Sequence, residues 1–185
     1  MEPLADPDAR ARSSGSGAIP DGGFSALTPE LSVQDLDVSL RFWCDCLGFT
    51  VAYDRPAARF AYLVRGKAHV MLCQINGRWD TGELLHPFGR GVNFQILVER
   101  LDPILATLEA ARWPLFEVPS EAWYRAGPVE AGQRECLVQD PDGYLVRLAE
   151  ILGQRSPTPP PPARVPEPPR QPAPDSLPTS RRIPQ

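Results

Sequence analysis

One pattern occurs twice in this chain, and it constrains the fold more than any single motif. The first copy runs Leu31-Ser32-Val33-Gln34-Asp35-Leu36, an amphipathic segment, then two apolar runs around Gly66-Lys67. The second runs Ile96-Leu97-Val98-Glu99-Arg100-Leu101, another amphipathic segment, then two runs around Asp140-Pro141-Asp142-Gly143. Val33 aligns with Val98 at a spacing of 65 residues, and Met71 with Arg147 at 76. The excess in the second copy is expected as a longer loop over residues 117–132. Each copy reads βαβββ, so the chain is expected to be α+β. Two tandem modules would form a curved sheet cup, with helices on its outer face and a ligand cleft between the copies.

Local signals support each element. Asp35 or Asp37 can cap a helix whose apolar face is Leu36, Leu40, Trp43 and Leu47, and Gly48 closes it. Thr28–Leu36 and residues 49–53 read as strands, and residues 60–65 and 68–75 as a hairpin. In the second copy Pro103 suits the first turn of a helix that buries Ile104, Leu105 and Leu108. In Asp140-Pro141-Asp142-Gly143, proline fixes φ and glycine accepts a positive φ, which is a strong turn signal.

The folded domain is expected over residues 26–152. Residues 1–25 are rich in small and polar side chains, and residues 153–185 hold 12 of the 23 prolines with almost no large apolar groups. Such segments bury too little surface to offset their ordering entropy, so both are expected to be disordered. Residues 27–153 carry 17 acidic against 12 basic side chains. That balance argues against a nucleic-acid partner and suits a cationic ligand. No run is long and apolar enough for a membrane span, and no apolar leader follows a charged start. Cys44, Cys46, Cys73 and Cys136 form no CxxC pair, which fits free thiols in the cytoplasm.

Strand alternation sorts the faces of the sheet. Val70 and Leu72, then Phe94, Ile96 and Val98, then Val146 and Leu148, are expected to face the helices. Thr28 and Glu30, Met71 and Cys73, Asn93, Gln95 and Leu97, and Leu145, Arg147 and Ala149 are then left for the cup. Phe60, Tyr62, Trp123 and Tyr124 are candidate aromatic contacts, and Glu30 and Arg147 a candidate ion pair. His69 shares the inner face of its strand with Cys73 but stands too far along it for a nucleophile–base pair. The chain lacks a Gly-x-Ser-x-Gly elbow and a Walker loop.

Leu31-Ser-Val-Gln-Asp-Leu, Ser39-Leu-Arg-Phe-Trp, Leu47-Gly-Phe and Gln139-Asp-Pro-Asp-Gly-Tyr-Leu-Val-Arg-Leu together resemble the vicinal-oxygen-chelate superfamily. That superfamily includes glyoxalase I, extradiol dioxygenases and bleomycin-resistance proteins. Trp123-Tyr124-Arg125 and the residues 138–144 are most similar to the bleomycin-resistance type. The resemblance implies paired βαβββ modules, often in a homodimer, with the ligand at the junction. It also implies that Thr28, Met71, Asn93 and Arg147 stand where metal-dependent members place His, Glu or Gln. None is a good ligand for a divalent ion, and Arg147 brings a permanent positive charge.

The expected function is therefore metal-free sequestration of a small, cationic aromatic antibiotic or metabolite, with no cofactor and no catalytic residue. Glu30, Phe60, Tyr62, Met71, Asn93, Gln95, Trp123, Tyr124 and Arg147 are the expected ligand contacts. The alternative is a lyase or dioxygenase of the same superfamily with an atypical site.

Overall fold

The computed structural model describes residues 17–157. The expected Pro-rich tail lies outside these residues from position 158 onward, as do residues 1–16 of the N-terminal segment.

In the first module, β1 (Glu30–Val33) leads into α1 (Leu36–Leu40), which continues as a π-helical turn over Arg41–Cys46. Asp35 caps α1, its Oδ1 accepting from the N–H groups of Asp37 at 2.9 Å and Val38 at 3.2 Å. Gly48 closes the π turn, donating to the Cys44 carbonyl. The strands β2 (Thr50–Arg55), β3 (Phe60–Arg65) and β4 (Ala68–Gln74) follow, giving the sheet order β1-β4-β3-β2. In the second module, β5 (Asn93–Val98), α2 (Asp102–Ala110), β6 (Leu115–Ala126), β7 (Val129–Gln139) and β8 (Leu145–Arg155) give the order β5-β8-β7-β6. The α+β arrangement of two βαβββ modules is thus as the repeat implied.

Register shows how closely the copies correspond. β1 pairs in parallel with β4, Glu30 beside Met71 and Val33 beside Gln74. β5 pairs in parallel with β8, Gln95 beside Arg147 and Val98 beside Glu150. Gln74 Oε1 accepts from the Leu36 N–H at 3.3 Å, and Glu150 Oε2 from the Leu101 N–H at 2.8 Å. The same position of each module thus holds the chain leaving its first strand.

Two local expectations are corrected. The extra residues of the second copy form no loop. They lengthen the β6–β7 hairpin, which turns at Gly127-Pro128 and pairs Ala126 with Val129 and Trp123 with Gly132. Pro119 masked this strand in the sequence, but β6 is an edge strand and can carry a residue that donates no ladder hydrogen bond. Irregularities between Leu115 and Ser120 absorb the misfit. The first strand also starts later than expected, so Thr28 lies on the approach to β1.

One apolar core joins the modules. Leu31, Val33, Trp43, Leu63 and Leu72 of the first pack with Ile96, Leu108, Val138, Val146 and Leu148 of the second. The Asp140–Gly143 turn is the polar part of this junction. Asp142, only 2% exposed, accepts from the Gln34 N–H at 2.9 Å and the Ser39 hydroxyl at 3.1 Å. Asp140 Oδ2 accepts from the Trp43 indole at 3.2 Å, and the Tyr144 hydroxyl donates to the Ser32 carbonyl at 3.1 Å. Gly143 has φ +90°, and a Cβ there would stand 2.3 Å from Pro87 Cβ. Only glycine meets both demands.

Candidate functional site

The first sheet's inner face is aromatic. Phe60 and Tyr62 are buried in a cluster with Ala52, and Tyr53, Met71 and Cys73 pack against it. Tyr62 stacks on Tyr53 with centroids 5.1 Å apart. Its hydroxyl lies 3.1 Å from Thr28 Oγ1 and 2.8 Å from His69 Nδ1. The Ser25 N–H donates to the same His69 nitrogen at 3.2 Å, which makes Nδ1 an acceptor. Tyr62 therefore donates to His69 and accepts from Thr28.

Chain outside the expected domain covers this face. Phe24 sits edge-on to Tyr62 at 5.5 Å and to Tyr53 at 6.4 Å, and the Ala18 N–H donates to the Ala52 carbonyl. Tyr62 is left only 3% exposed. The part of residues 1–25 that is described, from Gly17, is thus an arm laid along the sheet.

The far end of the same face is open. A cavity of about 240 Å³ is lined by Glu30, Arg55, Phe60, Cys73, Arg78 and Trp79, among others. Two guanidinium groups and one carboxylate meet there. The Cys73 thiol is pushed up by burial and by Glu30, against the pull of Arg55, Asn76 and Arg78. Burial drives Cys44 to about 12 and Cys136 to about 11, so these thiols stay protonated at neutral pH.

The second sheet's inner face is polar. Arg147 donates to Asn93 Oδ1 at 3.3 Å and lies 3.7 Å from Glu135 Oε2. Glu135 also accepts from Tyr124 Oη at 2.9 Å and Gln133 Nε2 at 2.6 Å, while Gln95 donates to Gln133 at 3.4 Å. The Tyr124 hydroxyl is raised, first by its hydrogen bond to Glu135. Among the described residues, Arg147 Nε is buried without a hydrogen-bond partner.

The expected contacts therefore fall into two sets. Glu30, Phe60, Tyr62 and Met71 belong to the first sheet, and Asn93, Gln95, Tyr124 and Arg147 to the second. The candidate ion pair between Glu30 and Arg147 is not what forms, because Arg147 turns to Glu135. Trp123 lies apart from both. It pairs with Gly132 on the strand face opposite Tyr124, lies under the Arg155 guanidinium at 4.0 Å, and would be struck at 2.6 Å by a Cβ on Gly132. Glu135 and Gln133 were missed. Alternation from the buried Cys136 and Val138 would have put both on the inner face.

The four positions implied for a metal do not fit one. Thr28 is bonded to Tyr62, and Arg147 donates to Asn93, so the two second-sheet positions are bonded to each other. Among the described residues, no three or more His, Cys, Asp or Glu side chains are grouped to hold an ion. No helix there is long and apolar enough to cross a membrane.

Residues 26–148 match the model of the Glyoxalase/Bleomycin resistance protein/Dioxygenase superfamily. The chain belongs to that superfamily. It is 28% identical over 131 residues to a probable lactoylglutathione lyase of Synechocystis sp., a match covering 68% of this chain and 94% of that protein. A solved superfamily member from Vibrio splendidus 12B01 is 35% identical over 66% of this chain and 95% of its own, with a TM-score of 0.32. TioX from Micromonospora sp. ML1 shares the fold at 22% identity and a TM-score of 0.52, covering 69% of this chain and 99% of that one.

Proposed function

We propose that this superfamily member is a metal-free small-molecule-binding protein of the bleomycin-resistance type. It works in the cytoplasm as a homodimer and holds an aromatic antibiotic or metabolite on its inner sheet faces. The observation that carries this reading is the Arg147–Asn93 hydrogen bond at 3.3 Å. A guanidinium at one metal position and a carboxamide committed to it at another leave no donor set for a divalent ion, whose charge the guanidinium would repel. The aromatic cluster around Tyr62 and the polar network around Glu135 are what a binding cleft requires: apolar area, with a few placed hydrogen-bonding groups. Leu97, 60% exposed, and Ile151, 57% exposed, leave apolar surface on and beside the second sheet for a second copy to cover.

A thermal-shift screen of aromatic antibiotics and metabolites tests the reading, because a ligand of the native state raises the unfolding midpoint. Binders at one per site, with protein free of metal, are the expected result. Stoichiometric metal in protein purified without chelator would overturn it.

The kinship with a probable lactoylglutathione lyase across 94% of that protein supports a second reading, an enzyme of the lyase class. Turnover in a lactoylglutathione lyase assay, dependent on added metal, would decide for it.

A further inference from the structure

The open cavity on the first sheet carries more information than the net charge of the domain. Arg55 lies over the Phe60 ring, its guanidinium carbon 3.8 Å from the centroid, and Arg78 lies over Trp79 at 4.7 Å. Stacking satisfies the face of a guanidinium and leaves its N–H edge free to bind a carboxylate. Neither arginine has an ion pair among the described residues, and neither does Glu30.

The wall that carries them is built. Asn76 Oδ1 accepts from the Arg78 N–H at 2.9 Å, and Asn76 Nδ2 donates to Cys73 Sγ at 3.6 Å, tying the turn to the end of β4. Trp79 follows with φ +68°, a left-handed conformation that strains a bulky side chain. The strained turn holds the indole beside the cavity yet 74% exposed. One indole face is covered by Arg78 and the other is available.

We propose that this cavity binds the carboxylate of a one- or two-ring aromatic acid between Arg55 and Arg78, with the ring on the free face of Trp79. The inference rests on the small-molecule-binding reading and supplies its ligand class. It replaces the cationic ligand suggested by the net charge, because the side chains that line this cavity carry two positive charges and one negative. A volume of about 240 Å³ suits one or two rings. Glu30, in the same lining, repels the carboxylate and accepts from a hydroxyl or amino substituent.

The test uses the full chain and two probes of equal shape and opposite charge, 2-naphthoate and 2-naphthylmethylammonium. Binding is read from the indole N–H resonance of Trp79, identified by its loss in W79F. Naphthoate is expected to shift that resonance, with affinity falling as salt rises. R55Q and R78Q should each weaken it about tenfold, and E30Q should tighten it. Equal or tighter binding of the cation, an affinity indifferent to both arginines, or an unmoved Trp79 at millimolar naphthoate would overturn the inference. The outcomes separate it from the broader reading. A screened ligand that binds while Trp79 stays unmoved sinks the inference alone. Naphthoate held by Arg55 and Arg78 in a protein that also carries stoichiometric metal sinks the metal-free reading alone.

Discussion

Asp140 shows how a residue can be readable as a turn and yet unreadable in its role. Burial raises its carboxyl from 3.8 to about 6, against the hydrogen bonds from Tyr144 and Trp43 and with a further push from Asp142. Because the folded value is the higher one, folding takes up a proton between these pH values. The stability it contributes is present below about pH 4 and is lost as pH rises toward 6. At about 1.4 kcal/mol per tenfold change in proton affinity, the loss is about 3 kcal/mol. Urea midpoints of the wild type are expected to fall across this window, and those of D140A to lack that fall. Asp142 is the stronger clip. D142A strips the Gln34 N–H and the Ser39 hydroxyl of their acceptor, and a loss of about 3 kcal/mol is expected in denaturant unfolding. D142E restoring full stability would show that charge, not reach, sets the effect.

Among the elements, the β6–β7 hairpin and the arm are where the chain departs from its own repeat. The hairpin survives an interior proline because it is the edge of its sheet, and Gly132 lets Trp123 lie flat across it. G132A is expected to displace the indole from Arg155 and cost about 1–3 kcal/mol, seen as a lower melting temperature and an altered Trp123 fluorescence. The arm buries Tyr62 through Phe24 and ties His69 through Ser25. Deleting residues 1–25 is expected to lower stability by about 1–2 kcal/mol. It should also raise the binding of an apolar dye, as Tyr53 and Tyr62 come into contact with solvent. Unchanged dye binding would mean that the arm does not cover the face in solution.

For the whole molecule, the two inner faces are complementary in character, one aromatic and one polar. The homodimer proposed here makes Leu97 the sensitive position, since it is 60% exposed in a single copy and should be covered in two. L97E is expected to leave the monomer's stability within about 0.5 kcal/mol while shifting sedimentation from dimer to monomer. A wild-type chain that sediments as a monomer at all concentrations would remove the proposal.

The sequence by itself determined the modules, their helices and the faces of their strands. These follow from periodicities of 2 and 3.6 and from turn chemistry, all of which act within a few residues. Alternation placed Met71, Cys73, Asn93 and Arg147 on the inner faces, and the spacings of 65 and 76 residues are the registers that pair Glu30 with Met71 and Gln95 with Arg147. Partners were another matter. That Arg147 reaches Glu135 rather than Glu30, that Asp140 and Asp142 lock the modules, that Phe24 covers Tyr62, and that Arg55 and Arg78 share one cavity were decided only by the tertiary structure. Each depends on strands and turns far apart in the chain meeting in one register, and a periodicity carries no information about what packs against it.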